Sequence, residues 1–284
     1  MKLGVSYNVY DGEEHLENSI SCIRGSVDFI CIVYQTTSNY GEKRDDLEPF
    51  LRDLKQRGLV DYLYHYNPKD IEGRGRGETN EIIKRNIGRD ICVKVANCTH
   101  HITMDCDEMF IEEEFEWAKN EVIENNYDTS YVSYDNYYKF PNLIVSKKDF
   151  MKATNQRTVT LGYISFIVKC DERNYGTGVS PIFVDPTRTI DCKDFLILSR
   201  RDIKMHHYSY IRAGESSLRR KLNNTSFKQH EAVESGFEKV VDGFIKFKEG
   251  DNAVIPWVGG ALSVGLEKVE DRLRFNDSQK IDVK

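Results

Sequence analysis

Along the first hundred residues, short apolar runs alternate with segments in which apolar positions recur every three or four residues. Leu3–Val9 reads as a first buried strand. From Glu13 onward Leu16, Ile20 and Ile23 take helical spacing, with acids in the first turn and Arg24-Gly25 at the end. Residues 28–35 (D-F-I-C-I-V-Y-Q) form a nearly continuous apolar run, the mark of a strand covered on both faces, and a polar loop follows over 36–41. Leu47, Phe50, Leu51 and Leu54 predict a second amphipathic helix that stops at Gly58, and residues 59–66 predict a third strand. In the polar loop 68–77, Gly73, Gly75 and Gly77 alternate with Arg74 and Arg76; beyond it Ile83, Ile87, Ile91 and Val95 recur every fourth residue and predict a long helix. A fourth strand, centred on Ile102-Thr103-Met104, opens into Asp105-Cys106-Asp107-Glu108. This succession predicts a mainly parallel, helix-covered sheet, in which ligands bind at the carboxyl ends of strands. Residues 7–11, 36–41 and 105–107 would meet there.

The later chain is less regular. After a Glu-rich helix over 112–125, Tyr127, Tyr131, Tyr134, Tyr137 and Tyr138 crowd together. Strand packing accounts for part of this, and the rest can stack on a sugar ring, since tyrosine joins an apolar face to a polar tip. Residues 163–169, 182–185 and 204–212 read as strands, the second running into D-P-T-R. From 223 the pattern suggests amphipathic helix pieces and a charged terminus.

Composition narrows the class. A chain of 284 residues with 39% hydrophobic and 11% aromatic positions can fill one large α/β domain with a tail. The net charge of -6 argues against a nucleic-acid partner, whose affinity would rest on a basic face. Seven cysteines without a C-x-x-C pair, and a start (M-K-L-G-V-S-Y) without a signal peptide's apolar core, predict a reducing, cytoplasmic location. The apolar tract 253–266 is shorter than the ~20 residues a membrane helix needs and contains Pro256, Gly259 and Gly260. No transmembrane segment is expected; the tract predicts a buried loop or strand, with a peripheral membrane contact as the alternative.

The chemistry concentrates at D-C-D-E. On an extended chain residues i and i+2 point to one side, so Asp105 and Asp107 can converge on one cation while Cys106 faces away. Hard oxygen donors suit Mg²⁺ or Mn²⁺, which keep positions open for substrate phosphates. Alone, such a pair also describes an ordinary solvated turn.

Four stretches in order carry a resemblance: N-V-Y-D-G-E over 8–13, N-E-I-I-K-R-N-I-G over 80–88, D-C-D-E over 105–108 and M-H-H-Y-S-Y-I-R over 205–212. Together they resemble the GT-A type nucleotide-sugar glycosyltransferases, close to the family 2 enzymes that build surface polysaccharides of bacteria, phages and viruses. The resemblance covers residues 1 to about 222. It implies an α/β, Rossmann-like GT-A domain over 1–222, with a nucleotide-binding half (1–110), an acceptor half (111–222) and a small helical extension over 223–284. It also implies a nucleoside-diphosphate sugar donor, most commonly of uridine, a glycan or other hydroxyl acceptor, and Mn²⁺ or Mg²⁺.

Carried over by position, the resemblance places Ser6, Tyr7, Asn8 and Asp11 near the base and ribose. It places Asp105 on the ribose or a metal-bound water, and Asp107 on the metal. A late histidine approaches the same ion, His207 with His206 as the alternate; adjacent strand residues face opposite ways, so only one reaches it. Lys84, Arg85 and Arg212 would neutralise diphosphate oxygens. The family's acceptor base is often Glu-Asp after the sixth strand. This chain has no such pair there, which leaves Asp185 in V-D-P-T-R, then Asp191, as candidates. Two other classes compete. A nucleotidyltransferase acting on sugar phosphates would carry a glycine-rich basic signature directly after the first strand, where Asn8-Val9-Tyr10-Asp11 stands, and a non-catalytic carbohydrate-binding protein would not need clustered acids.

Overall fold

The computed structural model describes residues 1–69, 76–155, 162–171, 173–178, 180, 182, 184–225, 234–257, 260–273 and 275. The first half follows the expected alternation: β1 (Leu3–Val9), α1 (Glu13–Ser21), β2 (Phe29–Tyr34), α2 (Leu47–Gln56), β3 (Tyr62–His65), α3 (Arg76–Ala96) and β4 (His100–Asp105). The loop positions Gly73 and Gly75 lie outside the described residues. Strand β1 lies between β2 and β4, with β3 outside β2, all parallel. β1 and β2 are buried almost throughout, as apolar strands covered on both faces must be. Strand order reverses between β1 and β4, and Asn8 there pairs with Asp105. Such a reversal splays the flanking segments to opposite faces and opens a crevice at the strand ends.

Helix α3 buries a different face from the one its apolar spacing suggests. Val95 is 52% exposed, and Ile83, Ile87 and Ile91 are only half-buried, whereas Lys84, Arg85, Arg89 and Cys92 are buried. The helix crosses β1 so closely that a Cβ on Gly88 would stand 2.4 Å from the Ser6 side chain. Small residues permit that approach. Buried charge at 84 and 85 is tolerated because this face overlies the acidic strand end, where each cation finds carboxylates.

The second half adds β5 (Glu108–Met109), α4 (Glu112–Asn125), β6 (Thr129–Tyr138), β7 (Phe140–Val145), α5 (Lys147–Thr154), β8 (Tyr163–Lys169), β9 (Phe195–Ile197), β10 (Met205–Tyr210) and α6 (Glu215–Asn224). Strand β8 runs antiparallel to β4 and links it to β6, so the sheet continues β4-β8-β6-β7. Strand β6 changes partners midway: its first half pairs with β8 and β9, its second with β10 and β7. That change carries β10 beside the acidic turn, where His207 lies opposite Glu108 of β5. The result is the expected α/β class, a sheet with a parallel nucleus flanked by helices.

Of the expected strand 182–185, the described residues 182, 184 and 185 are not strand. They lead into a 3-10 turn (Pro186–Arg188) whose start Asp185 caps, its Oδ1 accepting the Thr187 N–H at 2.8 Å. Proline at the first position presets that turn. Beyond 222 the chain holds α7 (Phe237–Lys246), but also strands β11 (Ala253–Trp257), β12 (Gly260–Val264) and β13 (Leu266–Lys268), so the extension is not purely helical. β11 and β12 form a hairpin and β13 extends the sheet beyond β7. Val240, Val241, Phe244 and Ile255 close a second core with Leu218 and Leu222 of α6. The described part of the tract 253–266 thus lies mostly in strands; among the described residues no helix is long and apolar enough to cross a membrane.

Candidate active site

A cleft of about 210 Å³ opens at the carboxyl ends of β1 and β4. Asn8 and Asp11 line it from the first strand and turn, Glu81 and Lys84 from α3, Asp105 and Asp107 from the acidic turn, and Asp185 from the 3-10 turn. His207 enters from β10 and Lys221 from α6.

The two aspartates have separate surroundings, because β4 ends at Asp105 and the chain turns at 106–107, so strand alternation stops before it reaches Asp107. Asp105 Oδ2 accepts from Arg188 Nη2 at 2.6 Å and Arg85 Nη2 at 3.2 Å. Asp107 is buried; its Oδ2 accepts from Arg212 Nη2 at 2.5 Å and Lys221 Nζ at 3.1 Å, and its Oδ1 lies 3.4 Å from His207 Nε2. Burial pushes both carboxyls up, but their partners outweigh it: Arg85 and Arg188 at Asp105, and Lys221, His207 and Arg212 at Asp107. Both stay below the usual carboxylate range and are ionised at neutral pH. Behind them Glu108 takes Arg188 at 2.5 and 3.0 Å and the Asp105 N–H at 2.9 Å, and burial pushes its carboxyl up against the pull of Arg188.

The histidine pair divides as alternation requires. His206 turns inward and shares a 2.6 Å hydrogen bond with the Tyr137 hydroxyl, while burial pushes its imidazole down to about 3. His207 faces the cleft, edge-on to Tyr134 at 5.8 Å. An oxygen of Asp107 and a nitrogen of His207 this close together can serve as two donors to a divalent cation. Asp105 does not complete a third protein donor. Among the described residues no three His, Cys, Asp or Glu side chains group as a metal site, since two arginines draw Asp105 aside.

The remaining expected residues fall into two groups. Asn8, Asp11, Lys84 and Asp185 line the cleft. Ser6 and Tyr7 do not: Ser6 bonds His101 Nε2 at 2.9 Å beneath α3, and Tyr7 bonds Ser19 at 3.0 Å under α1. Both lie too deep along β1, whose face toward the cleft opens only at its last residues. Arg85 is buried behind the cleft, donating to Thr103, Thr187 and Asp105 at 3.0–3.2 Å. Arg212 is likewise buried, with Nε on the Ser209 carbonyl at 3.0 Å and Nη2 on Asp107. These guanidiniums position carboxylates and do not line the cleft. Asp191 is exposed and outside the cleft; its carbonyl accepts from Arg173 at 2.6 Å.

Glu81, Glu108, Arg188 and Lys221 were not singled out by sequence. Arg188 stands in the same D-P-T-R as Asp185, so that motif held a signal. Glu81 is pushed up to about 7 by burial, against Arg85, with Asp185 and Asp105 adding to the rise. A carboxyl raised in the fold above its unfolded value stabilises the native state only while protonated, so stability is lost as pH rises from about 4.5 through 7. Glu81→Gln, which mimics the protonated form, is therefore expected to melt about 3 °C above the wild type at pH 8 and together with it at pH 4.5. Parallel thermal melts at the two pH values check this.

No family model and no curated relative matches the sequence. Solved structures do. The chain is similar to S. aureus TarS. With TarS 1-349 in complex with UDP it shares 10% identity at a TM-score of 0.45, over 88% of this chain and 76% of that one. With the complex of the same fragment with UDP-GlcNAc the values are 11%, 0.42, 88% and 77%. A further TarS structure matches 48% of this chain and 22% of its own, at 15% identity and a TM-score of 0.34.

Proposed function

We propose that this chain is a glycosyltransferase that moves a sugar from a nucleoside-diphosphate donor, a uridine diphosphate sugar, to a hydroxyl of a glycan or other acceptor. Mn²⁺ or Mg²⁺ would be held by Asp107 and His207. The observation that carries this reading is their meeting, from distant parts of the sequence, in one cleft at the ends of parallel strands. A bound cation supplies Lewis acidity where the diphosphate departs.

The chain's own residues support the other steps. The Asn8 amide is buried in the cleft wall with neither polar atom hydrogen-bonded, which suits the edge of a base or ribose. Lys84 stands among Glu81, Asp105 and Asp11; burial pushes its ammonium down and these carboxylates hold it up. Among the described residues it is the α3 cation that reaches the cleft, where it can meet a phosphate oxygen. Two cleft carboxylates, Glu81 and Asp185, can take the acceptor proton; Glu81 lies nearest neutrality and Asp185 has Oδ1 engaged by Thr187. A single displacement assisted by such a base inverts the anomeric carbon.

A thermal-shift series with UDP, UDP-GlcNAc and other nucleotide sugars, with Mn²⁺ or with chelator, tests the reading. Ligand at 100 times its dissociation constant stabilises by about 2.7 kcal/mol, so a clear rise is expected with Mn²⁺ and a smaller one with chelator. No rise with any nucleoside diphosphate at millimolar concentration would overturn it, and pyrophosphate release from a nucleoside triphosphate with a sugar phosphate would favour nucleotidyl transfer.

A further inference from the structure

Asp107 is approached by cationic groups of unequal freedom. Arg212 is fixed: it is buried, its Nε is on the Ser209 carbonyl, and its Nη1 lies 3.8 Å from Asp11 and 3.7 Å from Glu14. Lys221 is not fixed in this way. Its side chain is 21% exposed, it lines the cleft, and its ammonium reaches Asp107 Oδ2 at 3.1 Å on a flexible stem. Helix α6 itself is anchored on both sides of that residue. Arg220 pairs with Glu13 at 2.7 Å, and Asn224 Oδ1 accepts the Asn39 N–H at 3.1 Å, so Lys221 is held at the mouth of the cleft by its neighbours.

With Arg212 and Lys221 both on Oδ2, Asp107 already has two cationic partners with which a divalent ion must compete. An arriving ion would also face the ammonium at short range, where like charges repel strongly. We propose that Lys221 is a resident counter-ion that a divalent cation must displace from Asp107, and that the displaced ammonium then binds the donor's diphosphate. This rests on the nucleotide-sugar reading of the same cleft. Cation and donor binding become coupled: the ion frees the lysine, and the diphosphate gives the lysine a new partner.

Calorimetric titration of Mn²⁺ alone, and of UDP with saturating Mn²⁺, tests the proposal in the full chain. Lys221→Met is expected to bind Mn²⁺ alone about tenfold more tightly than the wild type and UDP with Mn²⁺ about tenfold more weakly, each tenfold being about 1.4 kcal/mol. Lys221→Arg, which keeps the charge and the anchored helix, should keep wild-type Mn²⁺ affinity within a few-fold. If Lys221→Met leaves Mn²⁺ affinity unchanged or lowers it, or leaves UDP affinity intact, the proposal falls while the functional reading stands. A wild type that binds neither Mn²⁺ nor UDP overturns both.

Discussion

Arg188→Ala is expected to destabilise the protein by about 3–5 kcal/mol, the cost of removing one partner from a buried ion pair. Arg188 is 1% exposed, and its guanidinium bonds Glu108 at 2.5 and 3.0 Å and Asp105 at 2.6 Å. Asp105 keeps Arg85 after the substitution, but Glu108 keeps no cation among its hydrogen-bond partners in the described structure. The sign of the pH dependence follows. Burial already raises the Glu108 carboxyl with Arg188 present, and loss of Arg188 raises it further. A carboxyl raised in the fold loses stability as pH rises, so the variant should lie closer to the wild type at pH 5 than at pH 8. Urea melts at both values read this directly. Arg188→Met combined with Glu108→Gln removes both charges and should recover much of the loss; an equal loss in the single and double variants would assign the effect to packing instead.

Much of the fold was legible because its first half obeys simple periodicity. The alternation of apolar runs with helical spacing through residue 100 leaves few arrangements besides a parallel sheet, and β1, β2, β3 and β4 fall where that spacing puts them. Legibility fails where tertiary context overrides local pattern. The fourfold spacing of Ile83, Ile87, Ile91 and Val95 marks α3 as a helix but not which face it buries, because charges over an acidic strand end count as core there. For the tract of β11 and β12 the sequence left loop or strand open; Pro256 stands within a strand of a two-stranded sheet, where edge positions tolerate proline.

The site divides in the same way. D-C-D-E was legible because carboxylates at a strand end carry their own chemistry, and His207 through the resemblance, alternation adding only that one of the two histidines faces the cleft. Arg85, Arg188 and Arg212 were not, since sequence cannot distinguish a guanidinium that meets a phosphate from one that braces a carboxylate. Ser6 and Tyr7 failed for a geometric reason: only the end of β1 borders the cleft, so a motif carried over as a block includes residues that lie beneath it.

Asp107→Asn is expected to lower transfer by about 10²–10³-fold or more, the scale of losing a group that stabilises developing charge. The amide keeps the size of the carboxyl but removes the anionic donor facing His207 at 3.4 Å, so Mn²⁺-dependent UDP binding should weaken with it. Stability should fall as well, by about 1–3 kcal/mol, because Arg212 and Lys221 lose a charged acceptor. Lys221, His207 and Arg212 hold the Asp107 carboxyl well below its usual range against burial. A depressed carboxyl contributes stability above its unfolded value near 3.9 that is lost as pH falls through the folded one, so wild type and variant should differ at pH 7 and converge in strong acid. Asp105→Asn is the comparison. Its carboxylate is drawn to Arg85 and Arg188, away from His207, so cation affinity should stay within a few-fold of the wild type. Calorimetry with Mn²⁺ and UDP ranks the two variants; if Asp105→Asn loses the cation and Asp107→Asn keeps it, the ion belongs to the arginine-braced carboxylate, and the assignment to Asp107 and His207 is wrong.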